Sequence, residues 1–476
     1  MNTFIQRWVF GISLAILAVA TNAQETRQAT GVKVGEVTDT AAIVWTRLTA
    51  MPTRNKDGIL IKGRAREKSR AAVPEDPSKL EGVCPGATGQ VRVRYGTRED
   101  LSDAKATDWA EVSEKDDFSH QFKLSGLKPG TVYHYAVETA GPGGAPKHGA
   151  LRGRFETAQP ATEPSRVTFC VVTGQAYCDL DDADGFNIYP AMGKLNPQFV
   201  VFTGDNVYYD SEAPMARTVA LARYHWQRMY SLPRHVELLR NVASLWEKDD
   251  HDTLDNDCYP QRKSACGQMF SFAEGQRIFL QQAPMGEKTY RTFRFGRDLQ
   301  IWLTEGRDFR SANNAPDSPE KTILGTEQKA WLKRTLQESD ATWKVWISPT
   351  ALVGPDRKNK KDNHANEAFR HEGDELRSWL KENLPANFFV ACGDRHWQYH
   401  SVHPATGVQE FSCGPASDQH AGGSPGEDKN YHRFHRVKGG FLSVSVAPRD
   451  GGSSVAFRLH DVHGAVVYEW TKTGQR

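Results

Sequence analysis

The sequence has almost no net charge, because 60 Lys and Arg residues against 58 Asp and Glu residues leave a formal charge of +2. A dedicated nucleic-acid-binding protein normally carries a clear surplus of basic residues, so this balance argues against that class. Long apolar runs are also scarce, since the mean hydropathy is −0.60 and 25% of the residues are charged. That excludes a protein with many membrane-spanning helices.

Cysteines are few and scattered, with seven in 476 residues, which is too sparse for a disulfide-rich scaffold. Cys258 and Cys266 close a short loop and are the pair expected to form a disulfide, while the odd count leaves at least one further cysteine unpaired. The 22 Phe, 14 Tyr and 12 Trp residues make the chain too aromatic to be disordered. The chain is therefore a globular protein long enough for two domains.

One apolar run stands out, at the N-terminus. Residues 8–20 (WVFGISLAILAVA) follow a short segment with one basic residue, Arg7, and precede small residues at 21–23. A bilayer span needs about 20 residues, so residues 1–23 are predicted to be a cleaved secretory signal peptide, with an uncleaved anchor as the alternative. The mature protein is expected in the periplasm, on the cell surface or in the medium, with no transmembrane segment.

Hydrophobic periodicity divides the rest of the chain in two. Residues 28–158 alternate with period two and break at turn signals, which predicts an all-β domain. Residues 127–135 place a Leu, a Pro and two Tyr before a strand, as at the corner of fibronectin type III sandwiches. After a Pro-rich linker, residues 166–450 alternate buried-type apolar runs with helical stretches, which predicts an α/β domain. Residues 451–476 are predicted to form a hairpin that completes it.

Local patterns give the elements of the second half. The predicted strands are 167–172, 198–204, 299–304, 343–349 and 387–393, and the predicted helices are 218–230, 326–337 and 373–383. Five tryptophans in strand-like runs are expected in the core, namely Trp45, Trp246, Trp302, Trp343 and Trp346.

Polar clusters follow several of these apolar runs, at the strand ends where open α/β sheets place their sites. The first is TGDNVYYD at 203–210, in which a carboxylate and a phenolate, Asp205 and Tyr208, are hard oxygen ligands suited to Fe(III). The second is DDHD at 249–252, whose adjacent titratable groups repel one another unless a cation or hydrogen bonds offset them. One carboxylate binding a metal, beside His251 as a proton donor, explains that arrangement. A solvated acidic loop is the alternative.

Two further clusters follow later strands. GDRH at 393–396 points Asp394 and His396 the same way in an extended segment, and EGRDFR at 305–310 offers guanidinium groups that suit phosphate. Each cluster is a weak signal alone, but four in one domain indicate a dinuclear metal hydrolase. Structural calcium loops are an alternative for the acidic clusters, but that alternative leaves His251 and His396 without a role.

The order GDxxY, DDHD, GDxH, behind a segment that begins GVKVGEVTDTAAIVWTR, resembles the PhoD-like alkaline phosphatases of the metallophosphoesterase superfamily. The resemblance runs from about residue 30 to 449 and includes LGTEQKAWLKRTLQESDATWKVWIS and GVQEFSCGPAS. It implies a four-layer αββα catalytic sandwich behind a fibronectin- or Ig-like β domain. It also implies hydrolysis of phosphate esters at a di- or multinuclear metal site, with Fe(III) and Ca²⁺.

The resemblance also implies individual roles. The implied metal ligands are Asp205 (the bridging carboxylate), Tyr208 (the iron-binding phenolate), Asp250, Asp394 and His396. His251 matches the residue that protonates the leaving group, while Arg307 and Asn206 are implied to contact the substrate. The substrate is then a phosphate mono- or diester, which the sequence leaves open as a small molecule, a lipid or a polymer.

The chain departs from the family pattern after its first catalytic strand. The family usually has Ser-Cys-Gln there, with the Cys binding iron, whereas this chain has Gly174 in the place of that Cys. Glycine has no side chain to bind a metal, so the iron site is expected to be altered. Gln175, Cys178 and Asp179 are close enough in sequence to substitute, and the sequence does not choose among them.

Two other departures concern charge. Lys248 replaces a Trp before the acidic cluster, and Glu305 replaces the Asp that opens the family's D-x-R segment. The mechanism that the resemblance implies is in-line attack on phosphorus by a metal-activated water, with His251 as general acid. The alternative is a catalytically impaired surface-binding protein that retains the fold, which the glycine at 174 and the β-sandwich would favour.

Overall fold

The fold is described by a computed structural model that covers residues 25–64, 76–264, 267 and 269–475. The predicted signal peptide and Cys266 of the predicted disulfide lie outside these residues, so both stay predictions. Across the ranges that are covered, every helix is too short or too polar to cross a bilayer.

The described chain forms 21 strands and six α-helices. The strands of its first third are β1 (Val32–Gly35), β2 (Ala41–Arg47), β3 (Gly89–Gly96), β4 (Lys105–Ala106), β5 (Ala110–Val112), β6 (Ser119–Ser125), β7 (Val132–Ala140) and β8 (Leu151–Glu156). The remaining strands are β9 (Val167–Val172), β10 (Phe199–Thr203), β11 (Ala243–Glu247), β12 (Arg291–Phe295), β13 (Leu299–Leu303), β14 (Trp343–Ser348), β15 (Phe388–Cys392), β16 (Gln398–Val402), β17 (Gln409–Cys413), β18 (His432–Arg436), β19 (Phe441–Arg449), β20 (Gly452–His460) and β21 (Val466–Gln475). The helices are α1 (Ile188–Lys194), α2 (Val219–Tyr230), α3 (Pro233–Leu239), α4 (Phe272–Gln282), α5 (Gly325–Glu338) and α6 (Arg370–Asn383).

The strands form three sheets. A nine-stranded sheet has the order β21-β20-β19-β9-β10-β11-β1-β2-β6, and a seven-stranded sheet has the order β12-β13-β14-β15-β17-β16-β18. In both sheets the central strands are parallel and the outer strands are antiparallel. A five-stranded sheet joins β4, β3, β7 and β8, with β5 paired to β3.

The central strands are buried on both faces, and alternate side chains pack into different cores. In β9, Phe169 and Val171 belong to an apolar cluster that also contains side chains of β13, β14 and β15. The residues between them, Cys170 and Val172, belong to a second cluster with side chains of α1 to α4. A third cluster joins β13, β14 and β15 to α5 and α6. The two large sheets therefore face each other and carry helices on their outer sides.

The five tryptophans predicted to be in the core are all buried, which confirms that prediction. Each indole N–H also has a hydrogen-bond acceptor, so burial leaves no donor unpaired. The acceptors are Gln281 O for Trp45, Ser244 Oγ for Trp246, Thr335 Oγ1 for Trp302, Ser453 Oγ for Trp343 and Thr304 Oγ1 for Trp346.

The predicted N-terminal β-sandwich shares a sheet with the α/β part of the chain. β1 pairs in parallel with β11, with Gly35 opposite Ser244, and β2 and β6 extend the same sheet. The five-stranded sheet packs on these strands, and both belong to the core cluster between the large sheets. The predicted corner is present, since Tyr133 Oη accepts a hydrogen bond from the Lys128 N–H at 2.9 Å. The linker after residue 158 therefore separates two sequence segments that share one core.

Two Gly-Asp pairs follow strands, β15 and β10, whose ends lie very close to other parts of the chain. A Cβ atom on Gly393, just after β15, would lie 2.5 Å from Thr203 Oγ1 at the end of β10. Gly204 is equally confined, because its Cβ would lie 2.5 Å from Asp249 Cβ. Asp205 and Asp394 both adopt the left-handed conformation, with φ of 53° and 59°. Non-glycine residues rarely adopt it, and it marks functional sites.

We expect Gly393→Ala to destabilise the fold by about 1–3 kcal/mol, because the added methyl group collides with the backbone and hydroxyl of Thr203. Urea denaturation followed by circular dichroism measures this change. The matched control is Gly193→Ala in α1, where a Cβ meets only Leu238 Cδ1 at 3.7 Å. The same denaturation midpoint for both variants would contradict the close approach of the two strand ends.

Candidate metal centre

A cavity of about 420 Å³ opens where β10 and β15 end. Five of the eight predicted site residues line it, namely Asp205, Tyr208, His251, Asp394 and His396. The other lining residues include three basic side chains, Arg64, Arg357 and Lys360, and a further imidazole, His420. The cavity thus combines buried acidic and imidazole groups, which suit bound cations, with basic side chains, which suit a bound anion.

Four side chains converge at the bottom of the cavity. Tyr208 Oη lies 2.9 Å from Asp205 Oδ2, 3.2 Å from His396 Nε2 and 2.9 Å from His420 Nε2. The two imidazole nitrogens lie 3.3 Å apart, and His396 Nε2 lies 3.7 Å from the Asp205 carboxylate. Carboxylate, phenol and imidazole groups of this kind are ligands for first-row transition metals.

The protonation of these groups suits metal binding. Burial, with the nearby charge of His251, lowers the pKa of His396 to about 3, and burial with His396 lowers the pKa of His420 to about 3. Both imidazoles are therefore neutral at neutral pH and have a lone pair to donate. Oδ1 of Asp205 is buried and accepts no hydrogen bond from any described residue. An unsatisfied buried carboxylate oxygen is costly, so these residues fit a bound cation.

Two further ligand groups share Asp205. Its carboxylate lies with Asp250 and His251 in one group and with Asp249 and Asp394 in another, the ligand atoms of each group lying within 4.8 Å of one another. Asp205 is therefore common to every group of candidate ligands around the cavity. Bridging of two metal ions by Asp205, which the resemblance implies, stays a prediction.

Each of the three carboxylates in the DDHD segment at 249–252 has its own hydrogen-bond donors. Asp249 accepts a hydrogen bond from Arg307 Nε at 2.5 Å, and Asp250 accepts backbone N–H groups of His251 and Asp257. Asp252 accepts the backbone N–H of Asp249 at 2.7 Å. Burial and Asp205 raise the pKa of Asp252 to about 7. Asp252 therefore organises the loop, whereas Asp250 lies toward the candidate metal site.

His251 has a fixed orientation in the cavity wall. Its Nδ1 lies 2.6 Å from Asp210 Oδ1, and Asp210 Oδ2 accepts the Asn256 N–H at 2.9 Å. Burial alone would lower the pKa of His251, but the attraction of Asp210, Asp250 and Asp205 outweighs it and raises the pKa well above the usual value. The imidazole is therefore protonated and can donate a proton. Asp210, the last residue of the first sequence cluster, was not predicted to do this.

Arg307 and Asn206, the predicted substrate contacts, lie behind the cavity wall. Arg307 is fully buried and pairs with Asp249, and its Nη2 lies 3.6 Å from Asp250. Asn206 is also fully buried, and its side-chain amide donates to Glu247 O and to Asp252 Oδ2. Neither is among the described residues that line the cavity. The contacts of both residues hold the carboxylates in place, and direct substrate binding by either stays a prediction.

None of the three residues predicted to replace the missing Cys ligand joins the four converging side chains as a further donor. The Gln175 side chain is buried against Tyr230 and His235, and the Cys178 thiol contacts Asp179 at 3.4 Å. The Asp179 carboxylate accepts a hydrogen bond from His420 Nδ1 at 2.8 Å. The three residues therefore lie beside the site, and Asp179 is the one whose side chain contacts one of the four.

Two departures from the family pattern compensate each other. Lys248 Nζ lies 2.9 Å from Glu305 Oε1 and 2.6 Å from Asp308 Oδ1, and all three side chains are nearly inaccessible to solvent. A buried lysine requires such partners, and a buried glutamate requires a cation. The Lys at 248 and the Glu at 305 therefore act as one ion pair, which sequence reading treated as two separate departures.

His420 is the functional candidate that sequence reasoning missed. It lies in a short 3₁₀ turn, Asp418–His420, seven residues beyond Cys413 at the end of β17. The stretch GVQEFSCGPAS before it carried part of the resemblance, but no strand ends directly at His420. Backbone pairing brings this segment to the cavity, since Thr173 forms a bridge with Pro415 and the Gly422 N–H donates to His396 O at 3.0 Å.

Two family models and one known relative agree on the family to which this chain is similar. The family model of the PhoD-like phosphatases matches residues 169–438, and that of their N-terminal domain matches residues 14–159. Alkaline phosphatase D of Bacillus subtilis (strain 168) is 24% identical over 265 residues. That alignment covers 47% of this chain and 43% of the relative, so the chain aligns with less than half of the relative's length.

Two solved structures share the fold. A structure of PhoD superposes with a TM-score of 0.69 at 17% identity, covering 96% of this chain and 92% of that chain. The purple acid phosphatase PPD1 of yellow lupin (Lupinus luteus) superposes with a TM-score of 0.61 at 12% identity, covering 93% of this chain and 74% of that chain. These likenesses concern the fold alone. Because the phosphatase family model covers more than half of the sequence, this chain belongs to the PhoD-like phosphatase family.

Proposed function

We propose that this chain is an exported, metal-dependent phosphoesterase that hydrolyses phosphate mono- or diesters. The observation that carries the proposal is the convergence of Asp205, Tyr208 and His396 under a cavity with a protonated His251 in its wall. Membership of a phosphatase family supports the same reaction class. The predicted signal peptide supports export.

The proposed metal centre has two parts that meet at Asp205. Tyr208 and His396 would hold Fe(III) on one side, because phenolate and imidazole suit that ion. Asp250 and Asp394, which each share a candidate ligand group with Asp205, would hold Ca²⁺ on the other side. When bound, such ions polarise phosphoryl oxygens and lower the pKa of a bound water. The residues fit these roles, and the identities of the ions belong to the proposal.

His251 is proposed to protonate the leaving alkoxide. Asp210 holds its Nδ1, so Nε2 is the ring nitrogen available to the substrate. The surrounding carboxylates keep the imidazole charged until the proton is needed. Proton donation matters most when the leaving group is a poor one, because an alkoxide without a proton departs slowly.

Basic side chains at the cavity rim are proposed to bind the phosphate. Arg64, Arg357 and Lys360 line the opening. Lys360 already has ion-pair partners within the protein, since its Nζ lies 3.0 Å from Asp257 Oδ1 and 2.9 Å from Asp362 Oδ2. Arg357 has only the adjacent Asp356 as an ion-pair partner among the described residues, at 3.4 Å, and its side chain is 37% exposed. Arg357 is thus the rim group most available to an anion.

The proposal includes the four-layer αββα arrangement that the resemblance implies. The three apolar clusters support it, because they lie between the two large sheets and between each large sheet and its helices.

The choice between phosphate monoesters and diesters is made by experiment. The rate of hydrolysis of p-nitrophenyl phosphate, compared with that of bis(p-nitrophenyl) phosphate, distinguishes a monoesterase from a diesterase.

For His251→Ala we expect a loss in kcat/KM that depends on the leaving group. An alkyl phosphate ester should lose on the order of 10²–10⁴-fold, because its alkoxide requires a proton. A p-nitrophenyl ester of the same charge should lose much less, because nitrophenolate leaves without one. Steady-state kinetics of both esters measure the contrast.

The control for that experiment is His403→Ala. His403 contacts Thr406 Oγ1 and the Tyr431 ring and does not line the cavity. Its removal should change neither ester's hydrolysis. Equal losses for both esters in His251→Ala would rule out general acid catalysis by this residue.

For Asp205→Asn we expect loss of bound metal together with a fall in kcat of at least about a hundred-fold, or ~3 kcal/mol. The substitution removes the charge common to all candidate ligand groups while preserving the shape of the side chain. Elemental mass spectrometry of the purified variant, in moles of metal per chain, is the measurement. An unchanged metal content with unchanged kcat would contradict the proposed centre.

A further inference from the structure

We propose that His420 binds the same metal ion as Tyr208 and His396, through Nε2, and that it supplies the ligand for which Gly174 has no side chain. This inference deepens the proposed function and rests on it. It makes the site one of phenolate, carboxylate and two imidazoles, without a thiolate.

The spacing of the three donor atoms is that of neighbouring ligands of one ion. Tyr208 Oη, His396 Nε2 and His420 Nε2 form a triangle with sides of 2.9, 3.2 and 3.3 Å. Bonds of about 2.1 Å at right angles place two ligand atoms about 3.0 Å apart, and tetrahedral angles place them about 3.4 Å apart. All three sides lie within or just below that interval, so one ion can contact all three atoms.

Hydrogen bonds alone do not account for this cluster. His420 Nδ1 lies 2.8 Å from Asp179 Oδ2 and 2.7 Å from Arg64 Nη2. In the neutral state, Tyr208 Oη and the Nε2 atoms of His396 and His420 carry at most one proton each. Four contacts of 3.3 Å or less join Asp205, Tyr208, His396 and His420, and three protons serve at most three of them. A cation satisfies the lone pairs that are left.

His420 has the orienting partner typical of metal-binding histidines. Asp179 Oδ2 lies 2.8 Å from Nδ1 and fixes the direction of the ring, and a carboxylate in this position accepts the Nδ1 proton when Nε2 binds a metal. Arg64 contacts the same Asp179 carboxylate, which holds it in place and leaves it charged. The Asp179 side chain is only 12% exposed, so water competes little for this contact.

The backbone explains how a distant histidine takes a position next to Gly174. Thr173 forms a parallel β-bridge with Pro415, and Ala416 N–H donates to Gly174 O at 3.2 Å. A Cβ on Gly174 would lie 3.3 Å from His396 Nε2. A side chain at position 174 would therefore crowd the face of His396 that binds metal. The glycine leaves that space to a ligand from the 413–420 segment.

The test loads iron into the whole protein and measures ligands rather than turnover. Wild type, His420→Ala, His420→Cys and the control His403→Ala are compared by metal content, by affinity in chelator competition and by X-ray absorption at the iron edge. We expect wild type to show two imidazoles at the iron and no sulfur. His420→Ala should show one imidazole and at least tenfold weaker iron binding. His403→Ala should match wild type.

The cysteine variant makes the test decisive. If Cys takes the place of His420, a sulfur neighbour should appear at about 2.3 Å, a distance distinct from the 2.0–2.1 Å of nitrogen ligands. Asp179→Asn, which removes only the orienting charge, should weaken iron binding by about 10–100-fold while both imidazoles remain.

Each outcome is distinguishable from failure of the proposed function. Iron bound to wild type and to His420→Ala with equal affinity and the same imidazole count would overturn the role of His420 and leave the phosphoesterase intact. Failure of wild type to bind iron or any other added metal would overturn both proposals. If His420→Ala does not fold, His420→Gln keeps the volume of the side chain and carries the same expectation.

Discussion

The site depends on one steric constraint, which is that the ends of several strands approach one another with no room for a Cβ atom between them. Gly393 after β15 meets Thr203 of the facing sheet, and Gly204 after β10 meets Asp249, which follows the neighbouring strand β11. The aspartates that follow each glycine turn sharply, with positive φ, and direct their carboxylates into the cavity beyond the strand ends. The candidate ligands from both sheets are therefore close because the strands are close.

Carboxylates gathered in this way repel one another, and the surrounding chain compensates the charge unevenly. Arg307 forms an ion pair with Asp249, and backbone N–H groups donate hydrogen bonds to Asp250. Lys248 forms an ion pair with Glu305 in the loop behind them. Asp205 and Asp249 nevertheless each keep one buried carboxylate oxygen without a hydrogen-bond partner among the described residues, and both belong to one group of candidate ligands. The protein therefore stabilises the periphery of the acidic cluster with its own groups and leaves the centre for a cation.

Local sequence patterns predicted β9, β10, β13, β14 and β15, three of the six described α-helices, the buried tryptophans and the strand-end positions of most candidate ligands, because periodicity and burial are local properties. The approach of the segment at 415–420 to Gly174 depends on pairing between residues about 240 positions apart, so no local pattern signals His420. The ion pair of Lys248 and Glu305 was invisible for the same reason. Asn206 and Arg307 were placed correctly near the site, but whether a side chain faces the cavity or the core is decided by packing.

The pairing of β1 with β11 has a consequence for how the chain acquires its structure. β1 is made first, yet its parallel neighbour follows about 200 residues later. Until β11 arrives, that edge of the growing polypeptide presents unpaired backbone groups, which favour association with other chains. An N-terminal fragment made alone would carry the same open edge. The edge of β1 is therefore protected only once the chain has been made as far as β11, which favours delaying the folding of the first strands until residues 243–247 are present.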